Sequence, residues 1–142
     1  MRTFKSLLVA LIGLTALMYA VQNLTNVGEM RAQIGASGQA GASWLGFGLM
    51  TLLEFVIAAV ALKGAWNLIA ARNGSANEFK AAKTVVVWAG GLSLLSWFAL
   101  SLMIGSGLFQ WGTDSGAIAL TRTFQLGSTS ALTILFVWGT TD

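Results

Sequence analysis

Cysteine, histidine and proline are all missing from this 142-residue chain, and charge is scarce: eight Lys and Arg and five Asp and Glu make up 9% of residues. Each absence excludes a class of chemistry. Without Cys there is no disulfide framework. Without Cys and His there are no ordinary zinc, iron–sulfur or copper sites, no His-ligated haem, and no Ser–His or Cys–His nucleophile pair. Soluble domains carry roughly a quarter charged residues, so a chain with so few cannot clothe a water-facing surface. The formal charge of +3 does not point to nucleic acid, because the basic residues flank hydrophobic runs and do not form a solvated stripe.

What the chain has instead is apolar length: 56% of it is hydrophobic. Four runs stand out, at 6–22, 44–66, 84–106 and 117–138. Each is 17 to 23 residues long, and a membrane span needs about 20 at about 1.5 Å per residue. The expectation is an all-α, four-helix transmembrane bundle forming one integral membrane domain over residues 1–142. The fourth run carries Arg122 and Gln125 and is the weakest of the four. Arg2 and Lys5 ahead of the first run allow a signal-peptide reading. Cutting after Ala20 or Ala16 would put Met18 or Leu14 where a small residue belongs, so the helix reads as retained.

Basic residues set the expected orientation. With a cytoplasmic N-terminus, Arg2, Lys5, Lys63, Arg72, Lys80 and Lys83 fall inside and only Arg31 and Arg122 outside. Both termini should then be cytoplasmic. Trp44, Trp66, Trp111 and Trp138 fall near the ends of runs, as an interfacial aromatic belt requires, whereas Trp88 and Trp97 lie within the third run and read as packing residues. The first outer loop, 23–43, is rich in Gly, Ala and Ser and reads as mobile. Asn73-Gly74 signals a turn on the inner side, and Lys63, Lys80 and Lys83 suit anionic headgroups.

Glu54 is the residue with most to say. It lies midway between Trp44 and Trp66, near the bilayer midplane, where a carboxylate costs roughly 3 kcal/mol on insertion scales. Helical counting puts Thr51, Glu54, Ala58, Ala61 and Ala65 on one face, polar at Thr51 and Glu54 and small elsewhere. That acid could serve a proton or ion relay, or it could lock its helix to a neighbour. In the fourth run Arg122, Gln125, Thr129 and Thr133 recur at helical spacing as a polar stripe. Arg122 sits about one turn above Glu54, within reach of a buried charge pair; snorkelling to the outer headgroups is the competing reading. Gly90-Gly91 and Gly105-Ser106-Gly107 suit close helix approach or a turn, and Asp114-Ser115-Gly116 an outer turn. No cofactor or metal set is visible, and no enzyme is expected.

Asn23-Leu24-Thr25, Glu54 followed by Gly64-Ala65-Trp66, Phe79 with Ala82-Lys83, and Gly116 with Arg122 together resemble a family of small integral membrane proteins of bacteria, a domain of unknown function. The resemblance implies a four-helix, multi-pass protein of the inner (cytoplasmic) membrane, treats Glu54 and Arg122 as a unit, and implies no activity. Beside it stands the reading of the residues themselves. Small residues such as Gly13, Ala58, Ala61, Gly90, Ser93 and Ser101 are distributed around more than one side of the helices, which suggests contacts with other integral membrane proteins or with further copies of the chain. A non-catalytic accessory or interaction subunit of a larger membrane complex is the first expectation. An oligomeric proton or ion channel or transporter using Glu54 is the second, although the lack of proline breaks and repeats leaves little room for alternating access.

Overall fold

The computed structural model describes residues 1–36, 40–100 and 114–140, with side chains described over 1–29, 31–32, 44–98 and 121–140. Among the described residues all regular structure is helical. In order come α1 (Arg2–Thr25), α2 (Val27–Ala36), α3 (Ala40–Ala70), a 3-10 turn (Ala71–Asn73), α4 (Ala76–Leu94), a π-helical segment (Leu95–Leu100) and a last helix, α5 (Asp114–Gly139). Most of the first outer loop is therefore helix. Glu29, Arg31, Ala32 and Gln33 are adequate helix formers with no proline to break them, and they extend the chain beyond α1 as α2. Ser101, the stretch 105–107 and Trp111 lie outside the described residues.

The turn at Asn73-Gly74 forms as the sequence suggests. Directly after it, Ser75-Ala76-Asn77-Glu78 has the spacing of a capping box and forms one: the Glu78 amide donates to Ser75 Oγ at 3.2 Å, and the Ser75 amide donates to Glu78 Oε2 at 2.7 Å. Two otherwise orphaned amides are satisfied. This starts α4 at Ala76, well ahead of the apolar run at 84–106.

Packing follows the α3 face. Thr51, Glu54, Ala58, Ala61 and Ala65 are all buried, as their spacing requires. Their alternating separations of three and four residues are those of a helix seam. Small side chains there let α1 and α4 approach closely on either side. Gly13 of α1 is one such point, where a Cβ would meet Leu62 Cγ at 2.9 Å. Gly90 of α4 is another, where a Cβ would overlap Ile134 of α5. Ala58, Ala61 and Ser93 are buried as well. The small residues named in the sequence, Ser101 aside, are thus buried by contacts within the chain.

Both chain ends lie together. Arg2 donates to the carbonyls of Arg72 and Gly74 at 3.2 and 2.7 Å, and Lys5 Nζ donates to Thr140 O at 2.8 Å. Each cation meets carbonyls at the C-terminal end of a helix, where the backbone dipole favours positive charge. Arg2, Lys5 and Lys83 all approach the buried Phe79 ring, at 4.9, 5.8 and 5.6 Å. Lys5 and Lys83 are buried, so Lys83 does not reach outward to headgroups, whereas Lys63 and Lys80 are exposed.

Among the described residues three helices are long and apolar enough to cross a membrane: Arg2–Thr25, Trp44–Asn73 and Ala76–Phe98. The α5 helix has the length but is not among them. Arg122, Gln125 and the hydroxyl residues Thr121, Thr123, Ser128, Thr129 and Ser130 lower its hydropathy. Trp66, Trp88 and Trp138 are exposed, and the contacts of Gly64 with Val86 and of Gly90 with Ile134 bring them into one band. Trp88 therefore belongs to the aromatic band, while Trp97 is buried as a packing residue.

Candidate functional site

Glu54 is 6% exposed. It takes Asn23 of α1 as partner: the Asn23 amide donates to Glu54 Oε2 at 2.7 Å. The Trp97 indole lies against the same carboxyl, but its buried N–H closes no well-formed hydrogen bond. Trp97 sits in the π-helical segment Leu95–Leu100, a local widening that is rare outside functional or strained places. Thr51, one turn before Glu54, donates its hydroxyl to Phe47 O at 2.9 Å, and Ser93 donates to Ala89 O at 2.8 Å. These hydroxyls satisfy themselves on their own helices. The result is a carboxyl held by one neutral donor, the Asn23 amide of α1, with the Trp97 indole beside it. Among the described residues no Lys or Arg closes an ion pair with it.

Arg122 is elsewhere. It is exposed, as are Gln125 and Thr129, while Thr133 is half-buried. The stripe that helical spacing joins is real, but its first three members face away from the packed helices. Thr129 bonds its hydroxyl back to Gln125 O at 2.7 Å, which leaves the Gln125 amide and the Arg122 guanidinium as the outward polar groups. Phe98 packs against Gly127, within 3.4 Å of where its Cβ would stand, so the stripe brackets the level of Trp97 and Glu54. Glu54 is thus buried while Arg122 is exposed.

A second outward polar stretch runs along the end of α1. Gln22 and Thr25 are exposed and continue the face that carries Phe4, Leu7, Leu11, Leu14 and Met18 nearer the N-terminus, and beyond them Asn26 and Glu29 are exposed together with Leu24 and Val27. On α3, by contrast, the exposed residues around Glu54 include Leu45, Leu49, Leu52 and Val56. Sequence reasoning found Glu54, Thr51 and the stripe of α5. It missed Asn23, which stands just past the first apolar run and reads as the start of a loop. Among the described residues no group of three or more His, Cys, Asp or Glu could hold a metal ion. Comparison with family models, with curated proteins and with solved structures finds no match for this chain.

Proposed function

We propose that this chain is a non-catalytic, multi-pass protein of the bacterial inner membrane that works as an accessory or interaction subunit of a larger membrane complex. The observation that supports this reading is the outward face of α5. Arg122 and Gln125 are exposed on a helix packed beside three that are long and apolar enough to span. Polar side chains at membrane depth face protein or water, because hydrocarbon offers them no partner. Another protein on that face satisfies them. The resemblance to small bacterial membrane proteins agrees with this reading, as does the collection of Arg2, Lys5, Arg72 and Lys83 at the end shared by both termini, which under the positive-inside rule is cytoplasmic.

Extraction from native membranes in mild detergent, followed by native gel separation and mass spectrometry, tests the proposal. Co-migration with one stable assembly is the expected result. A chain that runs alone under several gentle detergents contradicts it. Orientation is checked with single cysteines, which the chain lacks natively: Asn73→Cys should be labelled only from the cytoplasm and Gly28→Cys only from the opposite side.

Glu54 supports a second reading, an oligomeric proton or ion pathway, because a buried carboxyl without a charged partner invites a proton. In that case flux into liposomes loaded with a pH-sensitive dye should vanish with Glu54→Gln. Glu54 is buried whereas Arg122, Gln125 and Thr129 are exposed, which does not support one path lined by both within a single chain.

A further inference from the structure

The packing of α5 against α1 changes along its length. At the end shared by the termini the two helices touch: the Phe4 and Phe136 rings meet edge to face at 6.0 Å, and Lys5 Nζ donates to Thr140 O at 2.8 Å. Steps of three and four residues carry that flank of α5 from Thr140 through Phe136, Thr133, Thr129 and Gln125 to Arg122. Thr140, Phe136 and Thr133 are half-buried; Thr129, Gln125 and Arg122 are exposed. The neighbouring flank keeps its cover, with Gly127, Ser130 and Val137 buried and α4 contacting Ile134 and Gly127. On the other side Asn23 holds α1 to α3. So α5 stays on α4 and α1 stays on α3, while a wedge opens between α1 and α5 toward the end away from the termini.

Both walls of the wedge change character as it opens. On α1 the flank of Phe4 runs through Leu8 and Leu11 and then turns polar at Thr15, Tyr19 and Gln22. On α5 it turns polar from Thr133 to Arg122, eleven residues or about 16 Å by helical rise. The contacts of Gly90 with Ile134 and of Phe98 with Gly127 set this wall beside an apolar span, at membrane depth.

We propose that the wedge seats one membrane-spanning helix of a different protein, and that this helix carries a carboxylate at the level of Arg122 with amide or hydroxyl side chains one and two turns deeper. The inference rests on the interaction reading above and gives the chemistry of the partner. Length points to a helix: a continuous polar wall of about three turns is longer than a small solute, and a helix satisfies its own backbone at that depth. Charge points to an acid, because a carboxylate gives the exposed guanidinium a charge-assisted bond that hydrocarbon does not. The same charge disfavours a second copy. The three apolar spans hold two acids, Glu54, which is buried against Asn23, and Glu78, which is held by Ser75 near the termini. Asp114 stands eight residues beyond Arg122 on α5, about 12 Å away by helical rise. Glu29 lies past Asn26, where the backbone leaves the helix. A seated helix also accounts for α5 itself, which has the length of a span without the apolarity.

The test places a photo-reactive side chain at Gln22, at Thr129 or, as a control on the α3 side, at Leu52 of the full chain in native membranes. Gln22 and Thr129 should give adducts with the same second polypeptide, and peptide mapping should put both within one apolar segment that contains an Asp or Glu. Leu52 should react with lipid alone. Arg122→Glu should lower the Thr129 adduct on the order of tenfold, since like charges then face each other. Arg122→Lys should keep most of it, and replacing the mapped acid by Arg should restore it in the Arg122→Glu chain. Adducts of the chain with itself alone, adducts with lipid alone, equal protein adducts from Leu52, or a mapped segment without an acid each overturn the proposal. If the chain nevertheless co-migrates with one stable assembly, the seated helix is wrong and the accessory reading stands. A chain that gives no protein adduct and also runs alone removes both.

Discussion

At the level of Glu54 the two sides of this protein differ in kind. The α3 side exposes Leu49, Leu52 and Val56; the side formed by α1 and α5 exposes Gln22, Asn26, Gln125 and Thr129 interspersed with Val21, Leu24 and Phe124. A headgroup layer surrounds a membrane protein evenly, so depth alone would make both sides polar or both apolar. Polarity confined to one side at a shared depth is the mark of a surface that meets protein.

Placing a charge on each side breaks the comparison most forcefully if it is wrong. Leu52→Arg puts a guanidinium on the apolar side and should lower folded yield by an amount corresponding to roughly 3 kcal/mol. Thr25→Arg, on the polar side, should change it far less. Equal losses in a thermal or chemical unfolding series would erase the distinction between the sides.

The packing that separates the two sides comes next. Gly90 lets α4 lie directly on α5, and a methyl group there overlaps Ile134. Gly90→Ala should destabilise by about 1–3 kcal/mol through overpacking, whereas Gly91→Ala, with open space at that position, should be close to neutral. Similar unfolding midpoints for the two variants would show that α5 does not rest on α4 in this way.

The smallest effect concerns the interior. Asn23→Leu and Glu54→Leu each remove one half of the α1–α3 hydrogen bond, and a double-mutant cycle should give a coupling of about 1 kcal/mol, in line with hydrogen bonds between membrane helices. Strict additivity would show that the two side chains do not support each other. Substituting Arg122 in the same cycle should show no coupling to Glu54.

Much of the fold was legible in the residues. The alternation of three and four from Thr51 to Ala65 named a buried face, and Asn73-Gly74 named a turn. Direction is what periodicity does not carry. Arg122, Gln125 and Thr129 repeat at helical spacing whether they face in or out, and the general preference for inward polar groups favoured pairing with Glu54. Lys5 and Lys83 read as topology signals because their charge is visible in sequence. Their burial depends on Phe79 and on a carbonyl at Thr140, both distant along the chain. Asn23 was hidden by its place just past an apolar run. Its role needs α3 beside it to be seen.

Accessibility of spin labels to oxygen in native membranes tests most directly whether the polar side is covered by protein. Oxygen concentrates in lipid, so a label at Leu52→Cys should be mobile and strongly relaxed by it. A label at Gln125→Cys, at comparable depth, should be immobilised and shielded from both oxygen and a water-soluble relaxant. A Gln125 label as mobile and oxygen-exposed as the one at Leu52 would mean that lipid covers both sides, and would contradict the account.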